Sequence, residues 1–373
     1  MRIALISTSL NQGGAEQQVF DLATAFAARG HAVLVVSMIE PKYYAAELQN
    51  RSVRVETLHM RPGIPNPLGL FRLVSLLRKF RPDVVHAHMF HANILARIAR
   101  PFFYTPLICT AHNTQEVSQR GNAARGTPYK NIAYRLSDFL CTLTTQISVP
   151  GYNAYIANRC APSSKLRLVY NGVDLKRFER QPPITCNDLG IPIPPGVAFV
   201  WLHIGRHVPQ KDHENLFAAI DRSKSSSVFL FVGEGPLLEA NKSRAAALGV
   251  AHRVFFLGRR NDIPALIKAC NGVVLSSEME GLPLSVIEAS ASERIVVSTD
   301  VGGVRDTLPQ TSHEWLCAAK CPEALAPLLQ RAEALPPEAR ERIGLLNKQH
   351  ASEHFAIGSV ASQWERIYHE VST

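Results

Sequence analysis

What this chain lacks narrows the reading before any motif is considered. Its seven cysteines are odd in number and scattered, and no Cys-x-x-Cys pair occurs, so neither a disulfide framework nor a zinc ribbon is encoded. Cys317 and Cys321 are the closest two, and no histidine or second cysteine pair completes a zinc set around them. Reduced, buried thiols in a cytoplasmic protein are the expectation. No apolar run reaches the length of a membrane span. The opening Met1-Arg2-Ile3-Ala4-Leu5-Ile6-Ser7 has too short an apolar core for a signal peptide and meets polar Asn11-Gln12-Gly13-Gly14 at once, so it reads as a first strand. There is no Asp-x-Asp, the commonest carboxylate pair for chelating a divalent cation beside a phosphate, and no internal repeat or low-complexity segment.

Acidic residues are scarce in one half only. Residues 1–180 hold 22 Lys+Arg against 10 Asp+Glu, whereas residues 181–373 hold 18 against 21. A basic first half implies an anionic partner there, which charge alone does not choose among nucleic acid, phospholipid and a phosphorylated small acceptor. With 373 residues, 46% apolar and 19% charged, the chain is globular and long enough for two domains.

The first half alternates strands and helices. Residues 2–7, 32–37, 83–88, 107–111 and 165–170 read as strands, and 14–29 and 67–80 as helices. Gly30 sits where a helix C-cap glycine belongs. Pro182, Pro183, Pro192, Pro194 and Pro195 then crowd a stretch without periodicity, read as a linker over 181–197. A second α/β run follows, with strands at 198–204, 228–232, 254–257, 272–276 and 295–298 and helices at 265–269 and 284–291. The expected fold class is α/β: two doubly wound, Rossmann-like domains (1–180 and 198–355) facing a cleft, and a terminal helix over 356–373 packing back on the first.

Chemistry concentrates in the second run. Glu280-Gly281-Leu282-Pro283-Leu284-Ser285-Val286-Ile287-Glu288 follows a buried strand, and Pro283 stands where a helix begins. A helix start offers free amides to an anion, here those near Leu284 and Ser285, while Glu280 and Glu288 accept hydrogen bonds from hydroxyls. Phosphate and hydroxyl together spell a sugar nucleotide. Gly205-Arg206 with Lys211 follows the first strand of this run and suits a diphosphate. Gly233-Glu234-Gly235-Pro236 is a sharp turn exposing amides, which taken alone is most often only a turn. Leu257-Gly258-Arg259-Arg260 with Asp262 could frame a base, with Arg259 stacking on it, or could be a solvated charge cluster.

In this order and spacing the set resembles the retaining family-4 glycosyltransferases of GT-B fold, over nearly the whole chain. Gly13-Gly14-Ala15-Glu16 is similar to the family's Gly-Gly-Ala-Glu helix start. Tyr170-Asn171-Gly172-Val173-Asp174 with Phe178 matches its interdomain Asn-Gly-Val-Asp. Gly205-Arg206 to Lys211, Glu280-Gly-Leu-Pro to Glu288, and Thr299-Asp300-Val301-Gly302-Gly303 match its donor site. Glu293-Arg294-Ile295 departs from a common Gly-x-Pro, and Asp306 from a common Glu; both are expected beside the donor pocket. The resemblance implies donor contacts at Gly14, Arg206, Lys211, Gly233, Arg259, Glu280, Leu284, Ser285 and Glu288. It puts the ribose on Glu288 and the donor sugar on Glu280. It also implies an active-site histidine at His112, in Thr110-Ala111-His112-Asn113, polarising or orienting the reactants. A lone strand-end histidine is otherwise more often structural. His86, His88 and His91 invite a metal reading, set aside in favour of a strand and loop lining an acceptor cleft. No cofactor and no metal are expected, and the sugar nucleotide, with UDP as the preferred nucleotide, is a substrate. The retaining course rests on the resemblance alone.

The acceptor side is read from cations interleaved with aromatics: Arg72, Arg78, Lys79 and Arg81; Arg97 and Arg100 beside Phe102, Phe103 and Tyr104; Arg120, Arg125, Lys130 and Arg135 among Tyr129, Ile132 and Tyr134. This pattern suits an anionic bilayer, with ordinary solvated helix faces as the plain alternative. The resemblance adds a lipid-linked glycan or glycolipid acceptor at the inner face of the cell membrane. Two rivals remain. One is a sugar-nucleotide epimerase or hydrolase of the same fold, for which no further acid/base pair is found. The other is a nucleic-acid module, for which no recognition helix or stacking platform is found.

Overall fold

The computed structural model describes residues 1–11, 13–62, 66–113, 128–182 and 184–372. Its chain divides into two units, Met1–Val173 with Phe355–Thr373, and Asp174–His354.

The first unit is built on seven strands: β1 (Arg2–Ser7), β2 (Ala32–Ser37), β3 (Arg54–Thr57), β4 (Val84–His88), β5 (Leu107–Ala111), β6 (Leu143–Gln146) and β7 (Leu166–Leu168). They lie in the order β3-β2-β1-β4-β5-β6-β7, every pair parallel. Successive side chains of β1 enter opposite cores: Ile3 and Leu5 one, Ala4 and Ile6 the other. With helices on both faces, β4 and β5 are buried end to end, as central parallel strands are. The sequence reading passed over β3 and β6. Thr-rich β6 (Leu-Thr-Thr-Gln) lacks the apolar run that marks its neighbours, although all four of its residues are buried.

The terminal helix Ile357–Ser372 completes this unit. Val360, Trp364, Ile367 and Tyr368 fill one of its cores beside Phe26, and Arg29 and His31 both reach Glu365 (2.6 and 2.8 Å). Its approach explains the Asn-Gly-Val segment. The Val173 amide donates to Phe355 O (2.8 Å), the Ile357 amide donates to Val173 O (2.9 Å), and Gly172 N donates to Gln18 Oε1 (2.8 Å). A Cβ on Gly172 would stand 2.8 Å from Ile357 Cδ1 and 3.0 Å from the Ile357 backbone, so only glycine lets the two segments meet.

The second unit holds β8 (Val200–Ile204), β9 (Val228–Val232), β10 (Val254–Phe256), β11 (Gly272–Leu275), β12 (Ile295–Thr299) and β13 (Leu316–Cys317), again all parallel, in the order β10-β9-β8-β11-β12-β13. The division at Val173 precedes the expected boundary at 180. The proline-rich 181–197 stretch belongs to the second unit and is not a free linker. Cys186 and Ile191 are buried, and Leu189 O accepts from Arg260 Nη2 at 3.5 Å. The apolar residues between the prolines dock it. All seven cysteines are free thiols, six of them buried. Among the described residues no helix is long and apolar enough to cross a membrane.

Trp364→Ala is expected to remove about 3–5 kcal/mol of stability, because it empties a closed core around an indole that is 2% exposed. Urea unfolding measures this directly.

Candidate functional site

In the second sheet the strand order reverses between β8 and β11, and the loops after their carboxyl ends border the crevice where open α/β sheets take ligands. These loops are tied together. Lys211, at the end of the turn Pro209–Lys211, places Nζ 2.6 Å from Glu280 Oε1, and Ser277 Oγ donates to the same oxygen at 2.6 Å. Ser276 Oγ donates to Lys211 O (3.0 Å) and the Glu278 amide to Gln210 O (2.8 Å). Glu280 therefore fixes the lysine and accepts from the Ser277 hydroxyl. Arg206 stands exposed one residue past Gly205.

Backbone meets backbone around this pair. Gly233 has φ +141°, and a Cβ there would lie 2.0 Å from Gly205 O; its amide donates to Gly258 O (2.9 Å). On the other side, Gly302 has φ +52°, and a Cβ there would lie 1.9 Å from Glu280 O, while Gly303 N donates to Gly281 O (2.9 Å). Both glycines are required twice, by conformation and by space.

The helix Leu284–Ala291 begins directly after Pro283, so the amides of Leu284 and Ser285 precede its first internal hydrogen bonds. One turn on, Glu288 is half-buried. Burial pushes its carboxyl up to about 7, against the opposing pull of Arg177. Arg177 lies in the short helix Lys176–Glu179 and was not singled out from sequence, though it sits between Asp174 and Phe178 of a recognised motif. Arg260 forks onto Asp262 (2.8 and 2.6 Å), and its neighbour Arg259 is exposed. Asp300 is held by Arg305.

Three histidines back the Gly205–Lys211 loop. His207 Nδ1 pairs with Asn241 Nδ2 (2.8 Å), its ring stacks on His213 at 4.4 Å, and His213 lies 4.7 Å from His203. Burial first, then neighbouring positive groups, lowers all three; His213 falls to about 3. They are neutral packing at neutral pH, and sequence reasoning missed them.

In the first unit, His112 follows β5 and is 7% exposed, with burial lowering it to about 4. Its Nε2 lies 3.1 Å from His88 Nδ1. His88 and His86 are wholly enclosed on β4, so they are interior groups and do not line an open loop, while His91 is exposed. Among the described residues no cluster of three or more His, Cys, Asp or Glu has the geometry for a metal. Gly14 stands exposed at the start of the helix Gly14–Ala28, where Glu16 accepts from Ser9 Oγ (2.5 Å).

The basic surface needs correction. Arg97 is fully buried: Nη1 donates to Tyr134 O (2.9 Å) and Ser137 Oγ (3.1 Å), and Nη2 to Thr144 Oγ1 (2.8 Å). It lies one turn after buried Asn93, on the sheet-facing side of its helix. Lys130 is also buried, its ammonium 5.1 Å from the Phe90 ring centre. Arg72, Arg78 and Lys79 are exposed, although Arg72 Nη1 caps Leu58 O (2.8 Å). Arg100 is half-buried and donates to Phe103 O (2.5 Å). Arg120 and Arg125 fall outside the described residues. Glu293-Arg294 is likewise relocated. It precedes β12, at the amino ends of the strands and opposite the crevice, where it walls a cavity of about 350 Å³ with Lys268, Cys270 and Arg340. Asp306 lies four residues beyond Gly302, its carbonyl accepting from His350 Nε2 (3.0 Å).

Glu288→Gln separates burial from charge. A carboxyl whose folded pKa exceeds its unfolded value holds its proton longer in the native state, so wild-type stability falls as pH rises from about 4.5 to 7 and then levels. The variant is expected to match wild type near pH 4 and to exceed it at pH 8, by at most about 3 kcal/mol. Urea titrations at the two pH values check this.

Two family models match the chain: Glycosyltransferase Family 4 over residues 12–177 and Glycosyl transferases group 1 over residues 194–350. Over 250 residues, 63% of this chain and 62% of the relative, the chain is 30% identical to the UDP-Gal:alpha-D-GlcNAc-diphosphoundecaprenol alpha-1,3-galactosyltransferase of Escherichia coli. The match to the putative glycosyltransferase EpsD of Bacillus subtilis, 26% identical, likewise spans less than two thirds of each chain, at 66% of both. A full-length match, 24% identical over 100% of this chain and 99% of the relative, is the GalNAc-alpha-(1->4)-GalNAc-alpha-(1->3)-diNAcBac-PP-undecaprenol alpha-1,4-N-acetyl-D-galactosaminyltransferase of Campylobacter jejuni. Among solved structures, Anabaena HepE in complex with UDP and glucose superposes with a TM-score of 0.86 at 21% identity, covering 99% of this chain and 100% of that one. With two family models spanning most of its length and this architecture in both units, the chain belongs to glycosyltransferase family 4 and has the GT-B fold.

Proposed function

We propose that this protein is a metal-independent, retaining glycosyltransferase that moves a hexose or N-acetylhexosamine from a UDP-sugar to a lipid-linked glycan at the inner face of the cell membrane. The observation that carries this reading is the Lys211–Glu280–Ser277 cluster at the strand-order reversal, flanked by Arg206 and the helix start at Leu284. In this reading Arg206, Lys211 and the Leu284 and Ser285 amides take up the negative charge that develops on the diphosphate as its bond to the sugar C1 breaks. Glu280 receives sugar hydroxyls, Glu288 the ribose hydroxyls, and Arg259 lies over the base. With those cations in place the diphosphate needs no bound metal. In a same-face displacement the acceptor oxygen bonds to C1 while its proton passes to the departing diphosphate oxygen, and His112 orients the reactants. The undecaprenyl-linked substrates in the names of the Escherichia coli and Campylobacter jejuni relatives support the acceptor class.

Membrane association draws on a different set of residues from the buried Arg97 and Lys130. Of thirteen large apolar side chains exposed among the described residues, eleven lie between Leu68 and Ile156. Phe139 is 76% exposed and Phe71 64%. Residues 58–173 also contain fourteen Lys+Arg against three Asp+Glu. Arg78 Nε reaches Phe102 O (3.3 Å), and Arg100-Pro101 and Phe139-Leu140 wall one hollow of about 210 Å³, so exposed rings and cations adjoin. Apolar insertion with basic flanks suits an anionic bilayer.

Thermal shift with UDP-, GDP- and ADP-sugars in EDTA is expected to show stabilisation by the UDP series that vanishes in Glu288→Ala. No shift with any nucleotide would remove the donor site; a shift that requires added metal would remove metal independence. Co-sedimentation with phosphatidylglycerol vesicles is expected for the wild type and reduced several-fold in Phe71→Ser/Phe139→Ser, and equal binding by both proteins would sink the apolar contribution.

A further inference from the structure

Two imidazoles meet at the carboxyl ends of β4 and β5, and their hydrogen bond has a consequence for the chemistry of one of them. His88 Nδ1 and His112 Nε2 are 3.1 Å apart, so one nitrogen must carry the proton and the other the lone pair. The outer nitrogens, His88 Nε2 and His112 Nδ1, are buried without partners among the described residues. Neutral imidazole has one N–H, and burial lowers both rings below their ordinary range, so the pair shares two protons in one of two arrangements. If His112 Nε2–H donates, His88 carries its own proton on Nε2. That leaves an N–H without a partner inside a side chain that is 1% exposed. If His88 Nδ1–H donates, the interior nitrogen is a bare lone pair. The remaining N–H then sits on Nδ1 of His112, the more exposed ring of the two. Each arrangement strands one buried N–H; the second strands it on the ring nearer water, 7% against 1% exposed, where the missing partner costs less, so the second arrangement wins.

The ring of His88 is itself held. It lies 4.0 Å from the ring of His86. His86 is fixed at both nitrogens, Nδ1 to Tyr368 OH (2.7 Å) and Nε2 to Thr110 Oγ1 (2.6 Å), and Thr110 Oγ1 meets Thr145 Oγ1 (2.7 Å). Trp364 packs on the His86 ring at 4.4 Å. The terminal helix thus braces the interior imidazole against which His88 packs.

We propose that His88 is a positioning residue: by donating Nδ1–H to His112 Nε2 it fixes the tautomer of His112, so that His112 presents Nδ1–H as a hydrogen-bond donor to an oxygen of the reacting sugar or acceptor. The donor role rests on the reading of His112 given above; the tautomer does not. An imidazole so arranged polarises or orients, and it has no lone pair left with which to take the acceptor proton.

Nitrogen-15 NMR of the histidine side chains in the full-length protein reads the tautomers directly. Protons on Nδ1 of both His88 and His112 are expected; a proton on Nε2 of His112 overturns the proposal. Release of UDP from UDP-glucose supplies the second readout. His88→Leu is expected to lose about tenfold in kcat with little change in KM. His88→Asn, whose amide can donate from nearly the same place as Nδ1–H, is expected to recover most of that loss. Equal loss in both variants, or a loss confined to KM, would make His88 merely structural. If His112→Ala releases UDP like wild type while the NMR assignment holds, the role of His112 fails and the tautomer stands.

Discussion

The second unit depends on a constraint of space: four loops at one end of a parallel sheet approach in pairs so closely that backbone touches backbone. Gly233 against Gly205 O, Gly235 against His207 O and Gly302 against Glu280 O all lack room for a Cβ. At these three contacts no side chain stands between the loops. Lys211 and Glu280 meet because their loops are pinned at this distance. Their partial burial makes the pair stronger than a surface ion pair, yet each would cost stability if left alone.

The two units solve polar burial differently. Around the second crevice the charges are fixed and matched: Lys211 with Glu280, Arg260 with Asp262, Asp300 with Arg305. The described partner of His112 is instead another neutral imidazole, His88. His86, His88 and His112 are all shifted toward the neutral form by burial, and the hydroxyls of Tyr368 and Thr110 satisfy the interior ring, Thr145 backing Thr110. Neutral donors and acceptors can adjust their proton positions at little cost, whereas matched ions resist rearrangement. On the proposed function, the diphosphate meets the matched ions and a sugar hydroxyl the neutral donors.

How much of this was legible in the sequence varies with how local the physics is. Strand, glycine turn and helix start are local, and so the Glu280–Glu288 segment, the Gly205–Lys211 loop and the two-unit α/β plan could be read from residue types alone. The Lys211–Glu280 pair could not, since 69 residues separate them and only the strand order brings them together. Strand direction would have relocated Glu293-Arg294. Residues just before a parallel strand lie at its amino end, whatever motif they belong to. Arg97 was misread because a charged residue on an amphipathic helix is ordinarily solvated. Here a polar patch of Tyr134 O, Ser137 Oγ and Thr144 Oγ1 waits on the sheet side, and the Thr-rich strand that supplies part of it was itself overlooked.

The burial of Arg97 and Lys130 changes the logic of the basic half as well as its inventory. A count of cations treats each as a surface charge, yet two of those singled out are interior groups whose charge is satisfied by carbonyls, hydroxyls or a ring face. Removing them from the surface weakens any purely electrostatic attraction to anionic lipid, which also falls off within about a Debye length of the bilayer and with added salt. The exposed rings do not share that weakness. Phe71, Phe102 and Phe139 gain by leaving water whatever the ionic strength, and the exposed Arg78 and Lys79 near them need only orient the approach. If the membrane reading is right, binding should therefore persist at salt concentrations that release a protein held by cations alone, because the apolar contacts carry the residual affinity.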